Sequence, residues 1–480
     1  MADVLLAHCN HLYFDRKQAR KMQPYPPLQP LLAAACLRRQ GFEVALFDCT
    51  LEYSDETFSR ALEEHQPRVV ALCEDNFNFL TKMCLTRNRE LAFFMCQTAK
   101  SRGIPVVVNS SDATDHITDY LRHGADFVIF GEVETTLQEI ACHLLRASDQ
   151  GLETIAGVAF LDPATRGLRI NAPRELIRDL DCLPLPAWDL IDAQAYRQAW
   201  MSAHGHFSLN MVSSRGCPFR CNWCSKPIYG DSYQFRSPLC VAEEMRFLKE
   251  SFAPDHLWFA DDIFALSASW TMEFAAAVER LDARIPFKMQ SRCDLMTRGA
   301  VDALRRAGCA EVWMGAESGS QKVLDAMEKG LRAGHVHAAC QNLRAHGVRT
   351  GLFLQFGYPG ENWDDIQNTI EMVRRTEPDD IGVSVAYPLP GTKFYNLVEA
   401  QLGAKKNWED SDDLAMMFQG AYGTEFYRAL RDALHEEVAW RNHRDFDGEP
   451  PQELSDLWRR VETLEKTCAT PNPTPLWTCC

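Results

Sequence analysis

The sequence predicts an α/β protein with two parallel-stranded parts and a helical end, and three observations carry that expectation. Over residues 1–150, short apolar runs of β-forming residues alternate with segments whose apolar residues recur at helical spacing. A second series of strand–helix alternations fills residues 201–400. Residues 401–480 show helical patterning and a Pro-rich tail. A chain of 480 residues is about three times the usual domain length, so size alone argues for division.

In the first part, 3–9, 42–49, 68–73, 104–109 and 126–130 read as strands, and 28–40, 55–65, 88–102 and 112–123 as helices. Apolar strands without alternation fit a sheet covered by helices on both faces, hence a doubly wound parallel sheet. Such sheets bind ligands at the carboxyl ends of their strands. Those ends carry His8-Cys9-Asn10-His11, Asp48-Cys49, Glu74-Asp75-Asn76, Asn109-Ser110-Ser111-Asp112 and Gly131-Glu132. Polar strand ends also arise simply because loops are polar. No G-x-G-x-x-G follows the first strand, so the glycine turn of a dinucleotide site is missing. A capped helix start is expected at Glu132-Val133-Glu134-Thr135-Thr136. Residues 151–200 read as a connector containing a hairpin (GVAFLDPATRGLRI) and a Pro-rich crossing at 183–188.

Composition narrows the function classes. The chain is 46% hydrophobic and 24% charged, which excludes a disordered polymer. Its net charge of −16 repels phosphate backbones and argues against non-specific nucleic-acid binding. No apolar stretch approaches the ~20 residues that span a bilayer, and no basic leader opens the chain, so a cytoplasmic location is expected. Thiols stay reduced there, so the 18 cysteines are expected to be buried small hydrophobes or metal ligands.

Spacing decides for three of them. After a strand at 207–213 comes Ser214-Arg-Gly-Cys217-Pro-Phe-Arg-Cys221-Asn-Trp-Cys224, a C-x3-C-x2-C loop. A chain with 18 cysteines would show that pattern about 0.025 times by chance. Three thiolates on one tight loop can hold three irons of a four-iron cluster and leave the fourth open to another ligand. Structural zinc normally takes four protein ligands, and no fourth Cys or His lies near the loop.

Downstream, 255–264, 287–294, 311–319, 348–360 and 379–389 read as strands, separated by helices at 239–252, 270–283, 298–307, 320–346 and 362–376. With the strand before the loop this makes six βα units, an open parallel barrel with its site at the strand carboxyl ends. Those ends carry Asp261-Asp262, Gln290-Ser291-Arg292, Glu317-Ser318-Gly319, Gly357-Tyr-Pro-Gly-Glu361 and Pro390-Gly391-Thr392. Glycines there allow close backbone approach to a ligand, and carboxylates accept from amino groups or ribose hydroxyls.

The cysteine loop, with Trp223 before its last cysteine, resembles that of the radical S-adenosylmethionine (SAM) enzymes. The strings WFADDIF, GAESGS, QFGYPGE and YPLPGT, with Pro26-Pro27-Leu28 and GADFVIFGEVETTL upstream, resemble the cobalamin-binding branch of that superfamily. That branch includes the anaerobic magnesium-protoporphyrin monomethyl ester cyclase and many C-methyltransferases. The resemblance covers about residues 1–400. It implies a Rossmann-like cobalamin domain at 1–150, a connector at 151–200, a radical SAM barrel at 201–400 and a helical region at 401–480. It further implies that Cys217, Cys221 and Cys224 bind a 4Fe-4S cluster, and that Trp223, Asp262 and Glu317 lie along SAM. Asn10, Ser110, Ser111, Gly131 and Glu132 would then face cobalamin.

The chain departs from the branch in places. Cobalamin domains with a histidine lower ligand carry D-x-H-x-x-G; here His8 and His11 stand in HCNH without the Asp or the Gly. Asn109-Ser110-Ser111-Asp112 replaces a Gly-Gly turn common in the branch, so its side chains would crowd a corrin or hydrogen-bond to its rim. Cys9, Cys49 and Cys73 end three strands, as in the related methylthiotransferases with a second cluster, but the bland reading is buried thiols. Cys479 and Cys480 read either as a ligand pair or as a frayed tail. The resemblance implies methyl transfer to an unactivated carbon of a small metabolite, through a 5′-deoxyadenosyl radical and methylcobalamin. Radical oxidation or ring closure with a vestigial cobalamin domain is the alternative, and a non-catalytic iron–sulfur protein the alternative of another class. An electron donor such as flavodoxin or ferredoxin is the implied partner.

Overall fold

The computed structural model describes residues 1–54, 56–146, 151–443 and 449–468. Cys479 and Cys480 lie outside the described residues. The chain divides into two compact units. One comprises Met1–Pro218, Lys226–Asp262 and Asn407–Asp412, the other Phe219–Ser225, Ile263–Lys406 and Asp413–Cys480.

In the first unit, strands β1 (Val4–Ala7), β2 (Val44–Phe47), β3 (Val69–Cys73), β4 (Val106–Asn109) and β5 (Phe127–Ile129) form a parallel sheet in the order β2-β1-β3-β4-β5. The order reverses direction beside β1, so the carboxyl ends of β1 and β3 form the switch point where such sheets take ligands. Apolar side chains of alternate strand positions feed two cores, one on each face. Leu5, Val70, Leu72 and Val108 pack with the helices Glu56–His65 and Thr86–Ser101. Val4, Leu6, Val69 and Val107 pack with Leu28–Arg39 and Val133–Leu145. The hairpin of the connector forms as β6 (Val158–Leu161) and β7 (Leu168–Ile170) and extends this sheet antiparallel from β5, which the sequence pattern did not foretell. The helix expected over 112–123 is two, Ser111–Asp115 and Ile117–Arg122, interrupted by the non-helical backbone of His116.

The same unit carries β8 (Ser208–Met211), β9 (Ser214–Arg215), β10 (Gln234–Phe235) and β11 (His256–Phe259). β8 and β11 pair in parallel, and β9 and β10 form a short antiparallel ladder on either side of the cysteine loop.

The second unit holds β12 (Phe287–Ser291), β13 (Cys309–Glu317), β14 (Arg349–Phe356) and β15 (Asp380–Val385), all parallel. Within this unit the strand order is β12-β13-β14-β15, sequential as in an open βα barrel. Along β13 to β15, Val312, Met314, Leu352, Leu354, Ile381 and Val383 are buried, while Trp313, Gly315, Phe353, Gly382 and Ser384, on the other face, are half-exposed. This second face has a floor. Trp313 lies on Gly351, Phe353 lies on Gly382, and the two rings sit 4.9 Å apart. A Cβ at Gly351 would fall inside the Trp313 ring. The helix expected over 320–346 is again two, Gln321–Ala326 and Ala333–Ala345. Between them Glu328 and Gly330 take positive φ, 50° and 61°, which a helix cannot accommodate.

Candidate active site

In the first unit the cysteine loop begins at a constrained strand end. Gly216 has φ of 77°, and a Cβ there would strike the backbone oxygen of Ser232, so only glycine carries the chain from β9 into Cys217. Asp261, buried at the end of β11, accepts from the Ser213 N–H (3.1 Å) and Oγ (2.7 Å) and from Ser214 Oγ. Burial pushes its pKa up to about 6 against the pull of those serines. Its neighbour Asp262 is half-buried and pairs with Lys82, from the helix Phe79–Lys82 that follows β3. One acid of the pair therefore pins the strand that leads to the loop, and the other keeps a partly open carboxylate.

Arg215, two residues before Cys217, is buried and bridges two carboxylates of the Gly131-Glu132-Val133-Glu134 segment. Its Nη1 donates to Glu132 Oε1 (2.6 Å) and its Nη2 to Glu134 Oε1 (2.5 Å). Phe77 and Tyr229 flank the guanidinium, 5.6 and 5.5 Å away. Gln29, in the first turn of Leu28–Arg39, donates to Glu134 and accepts from the Tyr229 hydroxyl (2.8 Å). Burial would raise the pKa of Glu134, but Arg215 outweighs it and the pKa is lowered; for Glu132 burial wins and the pKa is raised. Bidentate geometry and full hydrogen bonding are what make such a buried triad tolerable.

At the carboxyl edge of β1 to β5 most polar side chains are committed to one another. His8 Nε2 lies 3.0 Å from Asp48 Oδ1, and Asp48 also accepts from Tyr196 (2.7 Å). Cys9 donates to Glu74, and Cys49 to the His8 carbonyl (2.9 Å). Cys73 is buried, and burial pushes the pKa of all three thiols up, so they serve as neutral donors or apolar filling. Asn76 donates to Asn109 (3.0 Å) and accepts from the Ser111 N–H (3.2 Å), while Ser110 caps the next helix through the Ala113 N–H (2.8 Å). Ser110, Ser111 and Glu132 thus hydrogen-bond within the protein. Asn10 and Gly131 stay half-exposed, and Glu74 Oε2 is buried with no partner among the described residues. A half-exposed amide, a glycine with φ of 81° and an unfilled acceptor fit a large ligand rimmed with amides.

In the second unit, Cys221 and Cys224 are half-exposed, whereas Cys293, Cys309 and Cys340 are buried. No group of three or more His, Cys, Asp or Glu among the described residues could hold a metal ion. A four-iron cluster does not require convergence on one ion, because each thiolate takes a different iron. Trp223 packs against the Tyr358, Phe394 and Phe418 cluster, and its Nε1 is buried with no partner among the described residues. Glu317 ends β13 at φ of 60°, a left-handed conformation costly for a non-glycine residue. Lys329 holds it there: Nζ lies 2.7 Å from Glu317 Oε1 and 5.9 Å from the Trp223 ring centre. A Cβ at Gly315 would collide with both charged groups. Burial would lower the pKa of Lys329, and Glu317 reverses that.

Sequence reading missed Arg215 and Lys329. Arg215 stood inside the quoted loop but drew no role, and Lys329 was hidden in an assumed helix, where Gly330 was the available signal of a break.

Residues 211–373 match the Radical SAM superfamily, and residues 23–141 match the B12 binding domain. The chain is 27% identical over 286 residues to an uncharacterized methyltransferase of Pyrococcus horikoshii, covering 59% of this chain and 60% of that one. It is 27% identical over 392 residues to the hopanoid C-3 methylase of Methylococcus capsulatus, covering 78% and 70%. It thus spans less than two thirds of the first of these relatives. In structure it resembles the cobalamin-dependent SAM radical enzyme OxsB, solved with aqua-cobalamin and SAM bound. The TM-score is 0.72 at 15% identity, over 97% of this chain and 71% of that one. The chain therefore carries a radical SAM domain and a B12-binding domain. These two domains imply a 4Fe-4S cluster, SAM and cobalamin as cofactors.

Proposed function

We propose that this chain is a cobalamin-dependent methyltransferase acting on an unactivated carbon of a small metabolite. The observation that carries the reading is the Arg215 triad, which fastens the start of the cysteine loop to the carboxyl edge of the first sheet. That fastening is what a protein needs if a cluster and a corrin must serve one substrate. Residues 1–150 are the cobalamin domain, 151–200 the connector, 201–400 the SAM barrel and 401–480 a helical region.

In this reading the cofactors supply an electron from the cluster, a deoxyadenosyl radical from SAM and a methyl group from cobalamin. The protein supplies placement. Cys217, Cys221 and Cys224 hold three irons. Trp223 covers the loop, and Asp262 and Glu317 offer carboxylates to amino or hydroxyl groups of SAM. Lys82 and Lys329 hold those two carboxylates in place until SAM arrives. Asn10 and the open Gly131 receive the corrin rim, with Glu132, Ser110 and Ser111 shaping that edge from behind. The His8 imidazole is enclosed by Asp48 and Cys49, which supports a cobalamin without a histidine lower ligand. Among the described residues no helix is long and apolar enough to cross a membrane; in this reading the protein acts in the cytoplasm with a flavodoxin or ferredoxin as electron donor.

The test is anaerobic reconstitution with iron, sulfide and hydroxocobalamin, followed by incubation with SAM labelled in its methyl group. About four irons per chain, retained cobalamin and 5′-deoxyadenosine formation are expected. Replacing Cys217, Cys221 and Cys224 together by Ala should abolish iron and SAM cleavage. Protein that cleaves SAM yet retains no cobalamin after gel filtration would sink the methyl-transfer reading and favour radical oxidation or ring closure.

A further inference from the structure

The turn that interrupts the expected 320–346 helix does more than redirect the chain. Asn222 lies between Cys221 and Cys224, and all four of its polar groups find partners within the second unit. Its backbone N–H donates to the Met327 carbonyl (3.0 Å) and its Nδ2 to the Ala326 carbonyl (2.7 Å). Its Oδ1 accepts from the Tyr358 hydroxyl (3.0 Å), and its carbonyl accepts from the Phe394 N–H (3.0 Å). These partners come from the end of Gln321–Ala326, the loop after β14 and the start of Lys393–Val398.

The other side of the loop is held on the same turn. Arg292 donates to the carbonyls of Lys329 (3.0 Å) and Gly330 (3.3 Å) and lays its guanidinium 3.8 Å from the Phe219 ring centre. The positive φ at Glu328 and Gly330 turns those carbonyls outward from any helical pattern, which frees them as acceptors.

From this geometry we propose that Asn222 is the positioning residue of the cluster loop. It keys the Cys221–Cys224 segment onto the 326–330 turn, so that the thiolates keep cluster-binding geometry whether or not a cluster is present. The proposal rests on the reading of Cys217, Cys221 and Cys224 as cluster ligands. Its chemistry is preorganisation: a loop already fixed by four hydrogen bonds loses little entropy on binding the cluster and opens rarely to release iron.

The experiment compares reconstituted wild type, Asn222→Ala, Tyr358→Phe and Asn442→Ala. Asn442 makes two hydrogen bonds of its own in the same unit, to the Pro378 and Asp379 carbonyls, and is a control for simple loss of packing. The readouts are the rate of iron transfer to a ferrous chelator and the electron paramagnetic resonance spectrum of the reduced cluster. Asn222→Ala should release iron at least tenfold faster than wild type with a broadened spectrum. Tyr358→Phe, which removes one donor and keeps the ring, should fall between, and it carries the test if Asn222→Ala does not fold. Asn442→Ala should match wild type. Iron release within twofold of wild type in Asn222→Ala, or equal acceleration in Asn442→Ala, overturns the proposal while leaving the cluster assignment intact. A wild type that assembles no cluster refutes the ligand reading itself, and this proposal with it.

Discussion

Arg215→Met tests whether the buried triad holds the first unit together. The guanidinium side chain is 2% exposed and its two carboxylate partners 4% and 1%. Methionine fills most of the volume but leaves Glu132 and Glu134 facing each other without a cation. Removing one partner from a buried pair costs about 3–5 kcal/mol, which for a unit of this size lowers the thermal midpoint by roughly 6–20 °C. The loss should depend on pH in a definite direction. Without Arg215 the folded-state pKa of both acids rises above its unfolded value. Such groups are protonated and tolerable at low pH, and they cost stability as pH rises through the unfolded value towards the folded one. Thermal and urea unfolding of the apo-protein, followed by circular dichroism under anaerobic conditions, should therefore show a larger deficit at pH 8 than at pH 5.5. Adding Glu132→Gln and Glu134→Gln to Arg215→Met should recover most of the loss. A midpoint within about 1 °C of wild type at pH 8, or an equal deficit at both pH values, would refute the reasoning.

Two further outcomes are expected. Burial pushes the Glu361 carboxyl up to about 8, against the hydrogen bond from the Gly357 N–H and with Asp365 adding to the rise. Its folded pKa lies above the ordinary carboxylate value, so stability should fall by at most about 1.4 kcal/mol per pH unit between about 4.5 and 8. Glu361→Gln should flatten that slope in urea titrations, and an unchanged slope would count against a buried neutral acid. Gly351→Ala drives a methyl group into the Trp313 ring and should cost about 1–3 kcal/mol. The loss should be relieved in Gly351→Ala/Trp313→Leu, and a single variant as stable as wild type would show that the ring moves freely.

Much of the fold was legible because it rests on local patterning. The continuous apolar runs around Val69–Cys73 and Val106–Asn109 announce covered strands, and Arg298–Ala307 forms a helix with the bounds its spacing implied. The cysteine loop was legible because spacing alone encodes it. What stayed hidden depends on distant pairing. Nothing near Arg215 in sequence says that its carboxylates lie some 80 residues upstream, at Glu132 and Glu134. The strand-forming residues of 158–170 promise a hairpin but not which edge it joins. Lys329 and the partners of Asn222 were hidden for a related reason: helical spacing continues across 327–332, and Gly330 alone marks in the sequence the turn that the positive φ of Glu328 and Gly330 makes.

The aromatic floor has a consequence for the durability of the enzyme. Under the proposed radical function a reaction chamber would be endangered by its own walls, and the Cα–H of glycine is among the most easily abstracted hydrogens in a polypeptide. On this face Gly351 and Gly382 are roofed by Trp313 and Phe353, so their side-chain directions end in ring carbon. The indole N–H of Trp313, itself a vulnerable donor, is tied to the carboxylate of Glu311, two residues back along β13. Trp313 and Phe353 thus cover the glycines of this face with flat aromatic rings whose C–H bonds are strong. Under the proposed function such a cover would act as an inert lining, leaving the substrate as the easier hydrogen donor.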